Sequence, residues 1–387
     1  MFKKTLACAA LACAFAGASA AADVTLYGVV DTGFAYNYTK VDDEAANHQF
    51  GMMTGYNNVS RFGLKGSEDL GNGYSVRFLL ENGFNSDDGT FGNDGRLFGR
   101  EAALTVAGPF GEVAFGRMGA LASSLGTYDV VYGIADSFWG GDNAILGLGI
   151  STRYDNMVTY QSPKIAGFQL TMQHSFDNDT KADYNPITAA KDHGDEGSQH
   201  VDCYNGIAIS ADLGSLKLVG AYELTKWAHN EYSGKFRDQH AFYIGGNYDF
   251  GVTKVFAMAQ YFKGARTFGS TGMSLTDYAD SKYAEDVAYN DGIDFYGLHL
   301  GNVTHVAGGD LYAAVYYVDG ETGDFQDLGK ADLRYWAVDA RYVYPLSKRT
   351  SVYGGAGYGE EKSDIDSTDY SYKKKIGQAY VGMTHRF

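Results

Sequence analysis

The sequence predicts an all-β protein, a 16-stranded antiparallel transmembrane β-barrel, and three observations lead to this fold class. Apolar and polar residues alternate along many short segments, as they do in β-strands. The connections between these segments fall into two lengths, seven short and eight long. The composition is rich in Gly (51), Tyr (31) and Phe (23) and has only 4 Pro, which suits strands that are joined by tight turns.

A secretory signal peptide is predicted for the first twenty residues, MFKKTLACAALACAFAGASA. Two lysines precede an apolar run of eleven residues, and small residues ending at Ala20 follow. The run is shorter than the ~20 residues of a transmembrane helix. A lipoprotein signal that uses Cys8 or Cys13 is the other alternative. We expect cleavage after Ala20, which divides the chain into a signal peptide, 1–20, and a barrel domain, 21–387.

The charge of the chain argues against several kinds of partner. The formal net charge is −16, and loss of the two signal-peptide lysines makes the remainder more negative, so we expect no nucleic-acid partner. Cys203 would be the only cysteine left, which excludes an intramolecular disulfide. His193, His200 and Cys203 lack the spacing of a metal site, and a solvated loop is the favoured interpretation. We therefore expect no metal and no cofactor.

The first strand is predicted in VTLYGVVDTGFAY, residues 24–36. Its even-numbered positions are mostly apolar and its odd-numbered positions include Asp31, which is the period of two that a strand shows. The same alternation recurs at 74–81 and 336–344. Because charged residues recur on the second face of these strands, that face must contact water. The barrel lumen is therefore expected to be water-filled.

The connections predict how the strands are ordered across the membrane. The seven short turns are 68–73, 108–112, 162–168, 211–216, 248–253, 300–310 and 344–350. The eight long loops are 37–58, 84–95, 117–152, 174–204, 224–239, 262–292, 317–333 and 359–375. If both chain ends lie on the short-turn side, these connections join 16 strands. Short periplasmic turns and long outer loops are typical of barrels in the bacterial outer membrane.

The last predicted strand is GQAYVGMTHRF, residues 377–387. One of its faces has an outward stripe that comprises Ala379, Val381, Met383, His385 and Phe387. We expect this strand to pair with the first strand, because an open sheet would leave unpaired backbone groups in lipid. The stripe then ends on an aromatic ring at the periplasmic interface of the outer membrane.

Several segments resemble the strand and turn signatures of proteobacterial general diffusion porins, of the neisserial and β-proteobacterial branch. These segments are 24–34, 60–73, 81–84, 95–117 and 344–353. The resemblance implies a water-filled outer-membrane channel for the passive diffusion of small hydrophilic solutes and ions. It also implies a homotrimer, and we expect contact with outer-membrane lipid and lipopolysaccharide. Phe387 matches the assembly signal that the barrel-assembly machinery reads in such proteins.

The resemblance also implies that a third outer loop, residues 117–152, folds into the lumen and forms a constriction. The carboxylates that this loop offers for the acidic side of the constriction are Asp129, Asp136 and Asp142. Its FWGGD segment resembles the tip of the family's loop, although Phe138 stands where related porins often have an acid.

The wall that faces this loop is expected to be basic. Arg61, Arg100 and Arg153 match three arginines of the family's constriction, and Glu81 matches a wall acid. Guanidinium groups that face carboxylates across a narrow aqueous gap would set up a transverse field. We expect a weak preference for anions, because most acidic residues lie in loops that a Debye length of ~8 Å hides from the constriction.

Two other functions remain open from the sequence. A barrel enzyme of the lipase or protease type would need a nucleophile, and no nucleophile signature accompanies His299 and His305. A substrate-specific sugar porin would use aromatic rings along its lumen. Aromatic girdles at the membrane interfaces are the commoner explanation for the many tyrosines.

Overall fold

The computed structural model describes residues 23–123, 126–138, 152–178, 196–197, 201–228, 237–265, 267–268, 273–274, 292–323, 329–365 and 371–387. The predicted signal peptide, His193 and His200 lie outside these ranges. The first strands are β1 (Asp23–Val41), β2 (Asn47–Thr54), β3 (Arg61–Gly71), β4 (Tyr74–Gly83), β5 (Glu101–Gly108), β6 (Gly111–Gly119), β7 (Arg153–Gln161), β8 (Phe168–Ser175), β9 (Cys203–Leu213) and β10 (Leu216–Lys226). The others are β11 (Gln239–Asp249), β12 (Thr253–Ala265), β13 (Thr267–Phe268), β14 (Met273–Ser274), β15 (Ile293–Val306), β16 (Gly309–Thr322), β17 (Ala331–Pro345), β18 (Thr350–Ile365) and β19 (Ser371–Arg386). One short helix, α1 (Tyr132–Ala135), lies between β6 and β7.

Seventeen of these strands form one sheet, and β1 closes it by pairing with β19. Two strands share one place in the wall, because β2 pairs with the outer half of β1 and β3 pairs with its inner half. Thr54 lies opposite Thr32 and Arg61 lies opposite Val29, so the same strand of the barrel is interrupted at 55–60. The predicted closed barrel of 16 antiparallel strands is therefore confirmed.

Short turns join the strands at one end of the barrel, in the seven places that the sequence predicts. Ala307 and Gly308, between β15 and β16, have φ angles of 51° and 80°. Two consecutive positive φ angles are what a two-residue type I′ hairpin turn requires. The predicted loop 37–58 is wrong in part, because β1 continues to Val41 and β2 occupies Asn47–Thr54.

The two faces of the wall differ as the alternation predicts. Leu26 and Phe34 on β1 are exposed on the outer face, while Asp31 between them is fully buried on the inner face. Exposed aromatic side chains lie near the short turns, and they are Tyr74, Phe110, Phe168, Tyr248, Phe250, Tyr344 and Phe387. Aromatic rings at this height suit the boundary between lipid tails and headgroups. Among the described residues, no helix is long and apolar enough to span a membrane.

The final strand pairs with the first, as predicted. Phe387 exchanges two backbone hydrogen bonds with Gly28, with N to O distances of 3.2 and 3.1 Å. The predicted outward stripe is confirmed, because Ala379, Val381, Met383 and the residues that continue it to Phe387 are exposed at alternate positions. The Phe387 ring lies directly over Gly28, where a Cβ would come within 2.3 Å of the ring's Cζ.

Candidate functional site

Two arginines and one glutamate form the centre of a charged cluster on the inner wall. Arg61 begins β3, Glu81 lies on β4, and Arg100 immediately precedes β5. The Nε of Arg61 is 3.4 Å from Oε2 of Glu81, and the Nε of Arg100 is 2.6 Å from Oε1. The Tyr27 hydroxyl also donates to Oε2, at 2.7 Å. The structure thus brings together three of the residues that the sequence predicts for the pore wall.

Arg153 begins β7 and joins this wall through an asparagine. Its Nη1 donates to Oδ1 of Asn93 at 3.2 Å. Asn93 and Arg100 both lie over Gly83, where a Cβ would come 2.8 Å from Asn93 Nδ2 and 3.0 Å from Arg100 Cδ. Within the described part of the chain, Nε and Nη2 of Arg153 are buried without a hydrogen-bond acceptor. The three predicted arginines therefore lie in one continuous patch.

A second ion-pair group extends the patch, and the sequence analysis missed it. Asp155 on β7 binds Arg117 on β6, with Oδ1 and Nη1 2.6 Å apart. Its other oxygen, Oδ2, is 3.0 Å from Nη1 of Arg96. A signal that could have found Asp155 is its place two residues after Arg153 on one strand. The alternation is interrupted here, because Tyr154 between them is also buried and its ring lies 4.7 Å from that of Tyr204.

A third carboxylate fixes the start of the inward loop. Glu101 lies directly opposite Glu81 in the register of β4 and β5, so both carboxylates point inward. Oε2 of Glu101 accepts a hydrogen bond from the backbone N–H of Thr127 at 3.2 Å. This contact ties the loop after β6 to the charged wall.

The described parts of the loop, 120–123 and 126–138, run inside the barrel and cross several strands. The buried carboxylate of Glu223 on β10 accepts hydrogen bonds from the Ala122 N–H at 3.1 Å and from the Tyr204 hydroxyl at 2.6 Å. Further along, Asn247 on β11 donates to the Ile134 carbonyl at 2.6 Å. The prediction that this loop folds into the lumen is confirmed for these residues.

The tip of the loop reaches β15, β16 and β17. The Ser137 N–H donates to Nε2 of His299 at 3.3 Å, which anchors the tip on β15. The Phe138 ring lies 6.0 Å from the Tyr312 ring and 5.0 Å from the Arg341 guanidinium. An arginine over an aromatic face is attracted by the ring quadrupole. The loop therefore follows the inner wall from β6 to β17.

The two described loop carboxylates, Asp129 and Asp136, are both buried, and Asp136 bonds to the wall. Asp129 is buried and accepts a hydrogen bond from the Tyr132 N–H at 3.2 Å, at the start of α1. Asp136 is buried and accepts from the Tyr316 hydroxyl at 3.0 Å and from the Phe138 N–H at 2.7 Å. Asp142, the third predicted acid, lies outside the described residues.

The electrostatic balance of the wall is positive. Among the residues that the structure describes, this patch contains five guanidinium groups and three carboxylates, and its members are Arg61, Arg96, Arg100, Arg117, Arg153, Glu81, Glu101 and Asp155. Arginine stays charged at any pH at which a protein is folded. Arg61 is the most open of the three predicted arginines, with 22% of its side chain exposed. A small ion at this surface meets more positive than negative charge.

A protein-family model of Gram-negative porins matches residues 7–364. The chain belongs to this family. Over its whole length this porin is 33% identical to an outer membrane porin protein of Bordetella pertussis, which is covered completely as well. Family membership indicates a channel in the Gram-negative outer membrane rather than an enzyme.

Solved structures have the same fold as this porin. An anion-selective porin from Comamonas acidovorans is 23% identical, with a TM-score of 0.66, and 95% of this chain covers 100% of that one. A trimer form of OmpT, an outer membrane protein of Vibrio cholerae, is 16% identical with a TM-score of 0.54, and 93% of this chain covers 99% of that one. At these identities the likeness concerns the fold alone.

Proposed function

We propose that this porin prefers small anions and that the arginine patch on β3 to β7 sets the preference. The single observation that carries the proposal is the excess of guanidinium groups over carboxylates on that wall. Walls of low dielectric concentrate the field of such charges in a narrow aqueous passage. The fold is similar to that of a porin whose own description is anion-selective, which supports the proposal.

The predicted residues take different parts in this proposal. The basic side of the constriction consists of Arg61, Arg100 and Arg153, and Glu81 partly neutralises its positive charge. The hydrogen bond from Tyr316 on β16 supports a role for Asp136 in holding the loop against the wall, while the bond of Asp129 to Tyr132 lies within the loop. Asp142 stays a prediction for the acid that faces the arginines.

A reversal potential of the wild-type protein tests the proposal. Purified protein in a planar bilayer, with potassium chloride at a tenfold concentration difference, should give a potential of the sign that chloride permeation produces. A potential of the opposite sign contradicts the anion preference. A bilayer that shows no conductance steps at all contradicts channel formation itself.

We also propose that three copies associate, as the trimer form of the similar Vibrio protein does. Unheated protein should then migrate at about three times its monomer mass in a denaturing gel.

We further propose that residues 1–20 are removed as a signal peptide. Mass spectrometry of protein from the outer membrane should find Ala21 as the first residue, and an intact N-terminus contradicts this.

Two partners of the barrel surface belong to the proposal. Lys40 and Lys375 lie opposite each other in the register of β1 and β19. We propose that they bind the phosphate groups of lipopolysaccharide, so less lipopolysaccharide should copurify with a Lys40→Ala, Lys375→Ala double variant than with the wild type. The barrel-assembly machinery is proposed to recognise the final strand through Phe387.

A further inference from the structure

The interruption between β2 and β3 pushes extra residues out of the wall. Six residues, 55–60, stand opposite only two residues of β1, Val30 and Asp31. We call residues 55–60 the strand-2 bulge. An uninterrupted strand would need two residues to cover the same distance, so the surplus must leave the plane of the sheet.

Asp31 holds the bulge on the inner side of the barrel. Its carboxylate accepts hydrogen bonds from the Asn58 N–H at 3.1 Å and from the hydroxyls of Tyr353 and Thr384, both at 2.5 Å. Its backbone exchanges two more hydrogen bonds with the Ser60 hydroxyl. A fully buried carboxyl group with this many donors fixes its neighbours, because breaking the set would leave buried polar atoms without hydrogen-bond partners.

The bulge contacts side chains that point into the lumen from the other side of the closure. Gln378 donates to the Tyr56 hydroxyl at 2.6 Å, and the Tyr56 ring lies 5.0 Å from that of Tyr380. Asn57 donates to the Thr384 hydroxyl at 2.9 Å. The two bulge residues, Tyr56 and Asn57, are only half-buried, so the bulge forms part of the surface inside the channel.

Arg341 on β17 joins the bulge to the inward loop. Its Nη1 donates to the Tyr56 carbonyl at 2.9 Å, and its guanidinium lies 5.0 Å from each of the Phe138 and Tyr312 rings. One buried cation thus contacts the loop tip and the bulge at once. The bulge also reaches the charged patch, because the Val59 carbonyl accepts from Nη1 of Arg61 at 3.1 Å.

We propose that the strand-2 bulge is a second constriction element, and that Arg341 braces it against the tip of the inward loop. The bulge narrows the passage beside the arginine patch and holds Arg61 in place there. This inference rests on the proposed function, since it assumes that ions pass along that wall.

Charge placed on the bulge tests the inference without disturbing the brace. Asn57→Lys should raise the chloride-to-potassium permeability ratio about twofold, and Asn57→Asp should lower it by a similar factor, because a charge in 0.1 M salt is screened only beyond ~10 Å. The control is the same pair of changes at Asn72, which lies in the exposed turn between β3 and β4. Equal ratios in the two Asn57 variants would overturn the inference.

The brace is tested by Arg341→Ala, with Arg334→Ala as its matched control. Arg334 lies on the same strand but is exposed on the other face, where it binds Asp319. Arg341→Ala should give larger and noisier conductance steps, and Arg334→Ala should give wild-type steps. Unchanged steps in a folded Arg341→Ala protein would overturn the brace, and if this variant does not fold, unchanged steps in Arg341→Lys, which keeps the charge but not the forked guanidinium, would overturn it. Wild-type channels are recorded in the same experiment. If they conduct and prefer chloride, the proposed function holds even where the variants overturn the inference about the bulge.

Discussion

The side chain of Arg100 crosses Gly83 and donates from Nε to Oε1 of Glu81, 2.6 Å away. Arg61 pairs with the other oxygen of Glu81. Glu81 is therefore the carboxylate that partly neutralises the basic wall at its centre. The two residues are nineteen positions apart in sequence, and the antiparallel pairing of β4 with β5 brings them together.

The first prediction concerns this carboxylate. Glu81→Gln keeps the shape of the side chain and removes its charge, so the chloride-to-potassium permeability ratio should rise. A reversal potential in a bilayer measures the ratio. Glu360→Gln is the control, because that glutamate pairs with Lys373 outside the patch. A ratio that falls in Glu81→Gln would contradict the electrostatic account of the wall.

The second prediction concerns closure of the barrel. Phe387→Ala removes the ring that covers Gly28 and should lower both the folding yield and the heat resistance. The free energy of unfolding should fall by about 1 kcal/mol, because half of the residue is already exposed in the folded protein. Met383→Ala is the control, since Met383 lies on the same stripe and is similarly exposed. The heat-dependent gel shift of refolded protein measures both. Equal effects of the two changes would show that the Phe387 contact has no special part in closure.

The third prediction concerns the anchor of the inward loop. Glu223→Gln replaces one of the oxygens that accept from the Tyr204 and Tyr243 hydroxyls and the Ala122 N–H. Leaving a buried donor unsatisfied costs about 1–3 kcal/mol. The loop should loosen, and single-channel recordings should show more current noise than the wild type. Glu321→Gln, at an exposed ion pair with Lys330, should leave the noise unchanged.

The fourth prediction uses salt alone. The anion preference should weaken when the two salt concentrations are raised around a mean of 1 M instead of 0.1 M, because the Debye length falls from ~10 Å to ~3 Å. Reversal potentials at a constant concentration ratio measure this. A preference that does not change with salt would indicate that passage size, and not the field of the arginines, controls the ions.

Much of the fold could be predicted because its rules are local. The alternation around Asp31 assigned the two faces of β1, and the short turn predicted within 300–310 is the one that Ala307 and Gly308 form. The ends of the long strands were missed. In β2, Phe50 and Met52 are exposed but so are their polar neighbours, and no single apolar face marks such a strand.

The site was predictable only in part. Arg61, Arg100 and Glu81 could be placed together through the resemblance and the strand parity. Arg96 was missed because it lies outside the regular strands, where no periodicity assigns a face. The strand-2 bulge could not be predicted either. Its position depends on hydrogen bonds to Asp31 and Arg341, and Arg341 is 285 residues from Tyr56 in the sequence.

The most direct test of the account compares wild type with Arg100→Ala in a single measurement, the reversal potential across a tenfold potassium chloride gradient. The account predicts that chloride carries more of the current in wild type, and that Arg100→Ala shifts the potential toward that of potassium because one positive charge leaves the narrow wall. A cation-selective wild type, or a folded Arg100→Ala variant with the wild-type potential, would contradict it.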